Sequence, residues 1–299
     1  MRAALIGRGA IGMLYAMQLR NHGVEPVFLV DSDRKKRYES EVLYINGNKT
    51  AFNYVVPGEN DEPYDLVLIM TKSGGLADAL ETIEPAIDDS TILLSCINGI
   101  VSEEIVRARY PKNPVIRTIV QGMDTVFLNG HCDWQTIGEI VIGEDGPDQK
   151  ETIRRLSDFF SAVEMPCVVS DDIVQAQWNK LMLNCAVNQI CAVYTTTYGG
   201  IIGPYRPLAV SVMNEVRAVA ASQGIELPEE YISVWMNTME HMDADAFPSM
   251  AQDAKAHRHM ETELFAGTIV PLAEKAGIDV PESKKLLEQL EQLEASFSR

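Results

Sequence analysis

A glycine-rich turn stands almost at the start of this 299-residue chain. The turn consists of Gly7, Arg8, Gly9, Ala10, Ile11 and Gly12. It follows a short apolar run that predicts a buried strand, and it opens a stretch with helical patterning. In that context the first glycine permits a tight turn, the second lets the backbone approach a pyrophosphate, and the third allows a helix to lie close to the strand. The pattern therefore predicts a strand–turn–helix unit that binds a dinucleotide.

The first half of the chain alternates short apolar runs with helical patterns. Strands are predicted at residues 3–6, 26–30, 66–70, 92–96 and 115–120, within 134–143 and at 166–170. Helices are predicted at residues 11–21, 75–87 and 148–162. Short buried strands separated by helices are typical of a parallel, doubly wound sheet. We therefore expect an α/β, Rossmann-type domain over residues 1–170.

Beyond residue 170 the pattern is almost entirely helical. Glycine and proline interrupt it at residues 199–207, 224–228, 247–248 and 277–281. We therefore expect an all-α domain over residues 171–299.

The charge and the cysteine content argue against several classes of protein. The net charge is −18 at pH 7, whereas a nucleic-acid partner needs a basic footprint. No apolar run reaches the roughly 18 residues of a membrane-spanning helix. The five cysteines lack CxxC spacing, which favours reduced thiols in a cytoplasmic protein. His257 and His259 do not have the i, i+4 spacing of a helical metal pair, so no metal site is expected.

The phosphate state of the dinucleotide stays open at this point. Asp31 lies 19 residues after Gly12, at the end of the second predicted strand, where an acid binds a ribose 2′-hydroxyl and favours NAD(H). Residues 33–37 follow as Asp-Arg-Lys-Lys-Arg, and an arginine there could bind the 2′-phosphate of NADP(H). The alternative is that this basic cluster is only the solvated first turn of a helix.

Two polar residues follow predicted strands of the first domain. Lys72 comes after the run LVLIM, and Asn98, with Gly99, comes after TILLSCI. Ligands of open α/β sheets bind at the carboxyl ends of the strands, so Lys72 could pair with an anion and Asn98 could place an amide beside a nicotinamide. Ordinary turn chemistry is an equally good explanation of Asn98-Gly99.

The run 177–194 has the pattern of a buried helix that carries a polar stripe. Gln177, Lys180, Asn184 and Asn188 recur at spacings of three, four and four residues, so they share one helical face. Any one of them could be a buried structural residue. Four in line favour a substrate-binding wall in which Lys180 is the cation.

A second polar group lies in residues 247–267. Ser249 follows a proline and is predicted to cap a helix. Glu261 comes twelve residues later, which predicts a position about three turns along that helix on a related face. The alternative for Glu261 is a surface acid, which is usual for glutamate.

Together these residues resemble the ketopantoate reductase family (2-dehydropantoate 2-reductase). The resemblance comprises the glycine turn, Lys72, Asn98-Gly99, the K-x-x-x-N-x-x-x-N pattern of Lys180, Asn184 and Asn188, and the S-M-x-Q-D run that is followed by Glu261. It extends from residue 7 to about residue 267, and the two helical motifs are its specific part.

The resemblance implies NADPH-dependent reduction of 2-dehydropantoate to pantoate, a step towards pantothenate and coenzyme A. Its motifs imply two catalytic residues, Lys180 as the general acid that protonates the carbonyl oxygen and Glu261 as the residue that holds the substrate hydroxyl. The implied substrate-binding residues are Asn184, Asn188 and Ser249. The implied cofactor-binding residues beyond the glycine turn are Lys72 and Asn98. The resemblance also implies a homodimer formed through the helical half.

Three departures from the family pattern leave alternatives open. Asp31 stands where the NADPH-using pattern often has a basic residue, Tyr198 stands where members often carry an asparagine, and residues 121–124 differ from the usual segment. The alternatives are a related two-domain dehydrogenase that acts on another 2-oxo acid and a non-catalytic NAD(P)-binding sensor. The pair of Lys180 and Glu261 favours an enzyme, because a sensor needs neither a general acid nor a hydroxyl-binding carboxylate.

Overall fold

The computed structural model describes residues 1–58 and 62–297. The chain divides into two compact units, Met1–Ile173 and Val174–Arg299. The first unit combines strands and helices, and the second is helical. The predicted fold class, a Rossmann-type α/β region followed by an all-α region, is therefore confirmed.

The first unit alternates strands and helices through most of its length. Its strands are, in chain order, β1 (Ala3–Ile6), β2 (Val27–Leu29), β3 (Leu43–Ile45), β4 (Asn48–Thr50), β5 (Asn53–Val55), β6 (Leu66–Ile69), β7 (Ile92–Ser95), β8 (Val115–Met123), β9 (Val126–Leu128), β10 (His131–Asp133), β11 (Ile137–Gly143) and β12 (Cys167–Ser170). Its helices are α1 (Ala10–Asn21), α2 (Ser32–Ser40), α3 (Leu76–Ile83), α4 (Ser102–Arg109) and α5 (Lys150–Ala162).

The main sheet has the strand order β12-β11-β8-β7-β6-β1-β2-β5. Leu5 on β1 pairs in parallel with Phe28 on β2 and with Leu68 on β6. The chain thus extends the sheet first to one side of β1 and then to the other, which creates a crevice at the carboxyl ends of the strands. β8 and β11 form an antiparallel pair, so this part of the sheet is mixed.

The central strands are buried on both faces because helices cover them. Every residue of β1, β6 and β7 is buried, and these strands are continuous apolar runs instead of alternating ones. The helix that follows the glycine turn contributes Met13, Leu14 and Leu19 to the same core. This packing fixes the ends of β1, β6 and β7, which carry most of the predicted cofactor residues.

A small second sheet with the strand order β4-β3-β10-β9 was not predicted. β4, residues Asn48–Thr50, contains no apolar side chain, so hydrophobic periodicity does not reveal it. Two Asn-Gly dipeptides do mark the hairpins: Asn46-Gly47 has φ of 46° and 76°, and Asn129-Gly130 has φ of 50° and 79°. Positive φ at both central residues is the signature of the tight turns that join antiparallel strands.

The second unit is built from helices. They are α6 (Ile173–Leu183), which starts at the last residue of the first unit, a π-helical turn (Asn184–Asn188), α7 (Gln189–Val193), α8 (Tyr198–Ile202), α9 (Arg206–Ser222), α10 (Glu230–Glu240), α11 (Ser249–Lys255), α12 (Ala266–Ala276) and α13 (Pro281–Phe297). Val212 and Val216 of α9 and Leu290 of α13 are fully buried in its core. Within the residues described here, no helix is both long and apolar enough to cross a membrane.

Candidate active site

Four strand ends bring the predicted cofactor residues of the first unit together. Gly7 follows β1, Asp31 follows β2 within two residues, and Lys72 and Asn98 follow β6 and β7 within three. The order β7-β6-β1-β2 is parallel throughout, so these strands end at the same edge of the sheet. The structure therefore places the four residues in one row, as a dinucleotide site requires.

The glycine turn has the geometry that its sequence predicts. Gly7 has φ of +105°, and a Cβ there would lie 2.4 Å from the carbonyl carbon of Met70. A Cβ on Gly12 would lie 2.1 Å from the carbonyl oxygen of Gly7. Both contacts are with backbone atoms that cannot move aside, so the turn needs glycine at these two positions.

Open space above the middle glycine fits a pyrophosphate. Gly9 is exposed, and a Cβ added there meets nothing within 4 Å. Gly9 is also the N-cap residue of α1 and provides no side-chain cap, so the first amide groups at Ala10 and Ile11 are available to an anion. Beside the turn, the buried Oγ1 of Thr71 has no hydrogen-bond partner within the described chain. An accessible backbone and an unpaired buried hydroxyl agree with a dinucleotide cofactor.

Arg8, between the first two glycines, ties the turn to neighbouring elements. Its side chain is only 3% exposed and forms an ion pair with Glu41. The guanidinium lies 3.6 Å from the ring centroid of Tyr38 and donates a hydrogen bond of 3.1 Å to the hydroxyl of Tyr54. The partners are distant in the sequence, so no local pattern reveals this role for Arg8.

Asp31 caps the helix that follows β2. Its Oδ1 accepts a hydrogen bond of 2.6 Å from the backbone N–H of Arg34, and its Oδ2 lies 3.0 Å from the Arg34 guanidinium. The side chains are 45% and 41% exposed, respectively, so each retains an edge that a ligand can reach. Asp31 and Arg34, the first arginine of the basic cluster, therefore form an ion pair just after the end of β2.

Lys72 and Asn98 lie on turns that follow their strands. Lys72 is exposed and precedes a short 3-10 turn, Ser73–Gly75. Asn98 is partly buried, and Gly99 after it has φ of +89°. The turn chemistry expected at Asn98-Gly99 is present, and it is compatible with a ligand-binding role because strand-end turns form the floor of the crevice.

The polar stripe of the second unit crosses a π-helical turn. α6 ends at Leu183, and residues Asn184–Asn188 form the π turn before α7 begins. Such turns interrupt an α-helix with i→i+5 hydrogen bonds and are frequent at functional sites. Gln189, which is fully buried, supports the turn. Its Nε2 donates a hydrogen bond of 2.7 Å to the carbonyl of Cys185, and its Oε1 accepts a hydrogen bond of 3.0 Å from the N–H of Ala266.

The carboxamides of the stripe form a hydrogen-bonded chain. Asn188 Nδ2 donates to Asn184 Oδ1 at 2.9 Å, and the Oδ1 of Asn188 accepts from the Ser249 hydroxyl at 3.3 Å and from the Met250 N–H at 3.4 Å. Both asparagines are buried, whereas Lys180, one turn earlier, is partly exposed. The structure thus brings Asn184, Asn188 and Ser249 together.

Ser249 does not cap its helix, contrary to the prediction. Pro248 is the N-cap residue of α11, and no side chain bonds to the first turn. Ser249 is the first helical residue, and its hydroxyl points to Asn188 instead. A hydroxyl at the first helical position is free to make a tertiary contact because the N-cap position lies one residue earlier.

The predicted helix through Glu261 is also wrong, because α11 ends at Lys255. The N–H of Arg258 donates a hydrogen bond of 2.9 Å to the carbonyl of Asp253, and the N–H of His257 donates one of 3.1 Å to the carbonyl of Ala254. His257 has φ of +50°. This hydrogen-bond pair with a left-handed residue is the Schellman motif, which stops a helix.

Glu261 lies in the segment that follows this stop. It is buried, with 6% of its surface exposed, and adopts a left-handed backbone conformation with φ of 55° and ψ of 36°. Left-handed backbone costs energy in a residue with a Cβ and is concentrated at functional sites. The alternative of an ordinary surface acid is therefore wrong.

Two family models match the sequence. The model described as ketopantoate reductase PanE/ApbA matches residues 3–146, and the model described as ketopantoate reductase PanE/ApbA C terminal matches residues 172–294. The chain belongs to the ketopantoate reductase family. It is accordingly an oxidoreductase, and a non-catalytic sensor is no longer an alternative.

Relatives within and around the ketopantoate reductase family span the whole chain. The chain is 26% identical to the 2-dehydropantoate 2-reductase of Vibrio cholerae over 312 aligned residues that cover both proteins completely. It is 26% identical to that of Aquifex aeolicus, covering 94% of this chain and 93% of the relative. Among solved structures, a PanE/ApbA family ketopantoate reductase from Ralstonia eutropha has a TM-score of 0.86 at 25% identity, with full coverage of both chains. D-mandelate dehydrogenase with NADH and anilino(oxo)acetate has a TM-score of 0.88 at 24% identity, also with full coverage, and shows the same fold.

The departure from the family pattern at Tyr198 falls at the start of α8. Tyr198 is partly buried, and burial, with a smaller contribution from Cys191, raises the pKa of its phenol to about 12. The hydroxyl, which is protonated at neutral pH as an ordinary phenol is, can donate a hydrogen bond where an asparagine amide often stands in the family.

The cysteines of this ketopantoate reductase family member are free thiols. Burial raises the pKa of Cys191 to about 12 and that of Cys167 to about 11, so both are protonated and poor nucleophiles at neutral pH.

In the described part of the chain, no group of three or more His, Cys, Asp or Glu side chains is arranged to hold a metal ion.

Proposed function

We propose that this chain reduces 2-dehydropantoate to pantoate with NAD(P)H. The observation that carries the proposal is the polar wall of the second unit, in which the Asn184–Asn188–Ser249 chain follows directly after Lys180. A 2-keto acid presents a carboxylate, a carbonyl oxygen and, in 2-dehydropantoate, a hydroxyl. An ammonium, carboxamides and a buried carboxylate match these groups by charge and hydrogen-bonding type.

Each residue of the proposed site has a distinct role. When bound, the dihydronicotinamide supplies a hydride to the carbonyl carbon of the substrate. Lys180 stabilises the negative charge that develops on the carbonyl oxygen and then donates a proton to that oxygen. Asn184 and Asn188 orient the substrate, and Glu261 accepts a hydrogen bond from its hydroxyl. A ketone, NAD(P)H and a proton thereby become an alcohol and NAD(P)⁺.

The test is oxidation of NADPH and NADH, followed by absorbance, with 2-dehydropantoate and a panel of other 2-keto acids. We expect the highest kcat/KM with 2-dehydropantoate. A higher kcat/KM with another keto acid would contradict the proposed substrate but not the reaction. Absence of oxidation with every ketone would contradict both.

A second candidate substrate is a 2-oxo acid with an aromatic side chain. Tyr198 favours it, because a protonated, partly buried phenol offers a ring face as well as a donor. The structural neighbour D-mandelate dehydrogenase is named for a 2-hydroxy acid of this kind. Benzoylformate, the keto form of mandelate, therefore belongs in the panel, and Tyr198→Asn should shift preference from it towards 2-dehydropantoate.

For the cofactor, we infer that NADH is used as well as NADPH. Family resemblance favours NADPH, whereas the Asp31 carboxylate suits a ribose diol and repels a 2′-phosphate. Arg34 pairs with Asp31 and offsets this repulsion. Asp31→Ala should weaken NADH more than NADPH; equal losses, or none, would contradict a role for Asp31 in reading the ribose.

We also propose a cytoplasmic homodimer. Free thiols agree with a reducing compartment, and one family structure is named as a dimeric ketopantoate reductase, from Staphylococcus aureus. Light scattering that returns the monomer mass at micromolar concentration would contradict the dimer.

A further inference from the structure

A buried polar group lies behind the turn that carries Asn98. Ser95 is the last residue of β7, and Ser102 and Glu103 are the first two residues of α4. All three are buried, with 0%, 1% and 0% of their surface exposed. The apolar pattern of the sequence does not explain them, and none belongs to the site described above.

Hydrogen bonds join the three side chains in series. The Ser95 hydroxyl donates to the Ser102 hydroxyl at 2.8 Å, and the Ser102 hydroxyl donates to Oε2 of Glu103 at 3.1 Å. The other carboxyl oxygen of Glu103 accepts from the backbone N–H of Thr118 on β8 at 3.3 Å. The group therefore connects the end of β7, the start of α4 and the neighbouring strand.

The first of these bonds closes the turn at residues 96–101. Ser95 immediately precedes the turn and Ser102 immediately follows it, so their contact sets the separation of its two ends. Gly99 within the turn has φ of +89°, and the backbone at Cys96 is held by a 2.8 Å bond to the carbonyl of Ile69 on β6. With both ends held, the position of Asn98 depends on the hydrogen bond between the two serine side chains as well as on its own backbone.

A buried carboxyl group is costly unless other contacts compensate for it. Glu103 occupies the second position of α4, where the positive end of the helix favours a carboxylate. Its two oxygens are divided between Ser102, the first residue after the turn, and Thr118 on β8, so the Glu103 side chain links the far end of the turn to the rigid sheet. Such support by rigid elements is what holds a ligand-contacting side chain in place.

We propose that Ser95, Ser102 and Glu103 are positioning residues that hold Asn98 against the nicotinamide half of the cofactor. The proposal rests on the proposed function and on the place beside the nicotinamide that the sequence predicts for Asn98. The three residues act through the turn and touch neither cofactor nor substrate. They should therefore affect binding of the nicotinamide half of the cofactor and leave binding of the adenosine half, which Asp31 would hold, unaffected.

The experiment compares ligands with and without the nicotinamide ring. Calorimetry measures the Kd of NADH against ADP-ribose, and of NADPH against 2′-phospho-ADP-ribose, for the wild type and Ser102→Ala. We expect the Kd of the complete cofactors to rise roughly 2- to 30-fold, the usual range for residues that act through others. The Kd of the two truncated ligands should change less than about twofold, which is within the additivity of distant sites.

Thr91→Ala is the matched control. Thr91 lies just before the other end of β7, is fully buried, and donates from Oγ1 to the carbonyl of Tyr64 at 2.7 Å. This variant removes a buried hydroxyl from the same strand at the edge opposite Asn98, so it should lower the thermal midpoint without changing any Kd. If Ser102→Ala does not fold, Ser95→Ala replaces it, because this variant keeps the bond between Ser102 and Glu103.

Equal weakening of complete and truncated ligands, or no weakening of either, would overturn the positioning role. A wild type that binds NAD(P)H but oxidises it with no ketone would contradict the proposed function alone, and the Kd comparison would still decide the role of the three residues. A wild type that prefers the truncated ligands would show that Asn98 makes no favourable nicotinamide contact and would overturn this inference.

Discussion

Replacing Gly9 with alanine should separate cofactor binding from folding at the glycine turn. Gly9 has φ of −86° and ψ of −172°, an extended conformation that alanine adopts without strain. A Cβ added there meets no atom within 4 Å. The folded protein therefore has room for the methyl group. A pyrophosphate bound against Gly9 would need the same space.

The two effects differ in size. An unstrained glycine-to-alanine change stabilises a protein by about 0.4–1 kcal/mol, because it restricts the unfolded chain. Gly9 is the N-cap residue of α1, where alanine is less favourable than glycine by a similar amount, so the free energy of unfolding should change by less than about 1 kcal/mol. A methyl group between the pyrophosphate and the backbone removes close amide contacts, and we expect the Kd of NAD(P)H to rise at least about tenfold, or about 1.4 kcal/mol. Gly12→Ala differs, because its Cβ would lie 2.1 Å from the Gly7 carbonyl oxygen. That variant should lose about 1–3 kcal/mol of folding free energy or more.

Urea unfolding and calorimetric titration of NAD(P)H measure the two effects separately. Gly146→Ala is a control from a loop away from the turn, where the nearest atom to an added Cβ is Nε2 of Gln149 at 3.6 Å. It should keep the stability of the wild type or exceed it, and it should bind the cofactor like the wild type. An unchanged Kd in Gly9→Ala would refute the assignment of this turn to the pyrophosphate.

Three further predictions concern the helical unit. Lys180→Ala should lower kcat roughly 10²- to 10⁴-fold in the NAD(P)H oxidation assay while the Kd of the cofactor stays unchanged, and an unaltered kcat would exclude Lys180 as the acid. Asn188→Ala should lower the free energy of unfolding by about 1–3 kcal/mol in urea titrations, because the Oδ1 of Asn184 loses its donor inside the protein. Desolvation lowers the pKa of His259, but hydrogen bonds to Glu294 and Glu263 outweigh this effect and raise it above 6.5. The stabilisation from His259 is therefore complete below about pH 6.5 and is lost as the pH rises through the raised pKa. His259→Gln should flatten the decline in unfolding free energy above that pH, and a slope equal to the wild type would contradict the assignment.

The fold class could be predicted from the sequence, and so could the positions of Gly7, Lys72 and Asn98 at the ends of parallel strands. The predictions rest on local patterns: the glycine turn, the strand ends at Lys72 and Asn98, and the spacing of the polar stripe. Such patterns depend on residues that are close together in the chain, so they can be identified before the tertiary structure is known. The tight approach of Gly12 to Gly7 follows directly from the need to place a helix on a strand. The sequence analysis did not predict the small second sheet, although Asn46-Gly47 and Asn129-Gly130 are dipeptides typical of its hairpin turns.

The polar wall of the second unit could be predicted only in part, because its geometry depends on where helices stop. A π turn and an α-helix have similar sequence patterns. The sequence of Asn184–Asn188 therefore does not predict the change from i→i+4 to i→i+5 hydrogen bonds. Residues 249–261 have high helical propensity apart from Ser249, Asp253 and the two histidines, and the left-handed conformation of His257 is set by the Schellman contacts. Propensity cannot predict such a stop when the terminating residue is not glycine.

By itself, the sequence determined the strand–turn–helix unit at the N-terminus, the parallel strand ends and the set of polar residues that face a keto acid in the proposed reaction. The tertiary structure alone decided which of those residues touch: Asn188 reaches Ser249 and Met250 from a position about 60 residues away, and Arg8 pairs with Glu41 across 33 residues. It also decided that Glu261 is buried in a left-handed conformation after a helix stop, and that Ser95, Ser102 and Glu103 form one hydrogen-bonded group. The physical reason is that turn and helix patterns are governed by interactions between near neighbours in the chain, whereas burial and side-chain pairing depend on contacts that exist only once distant segments have met.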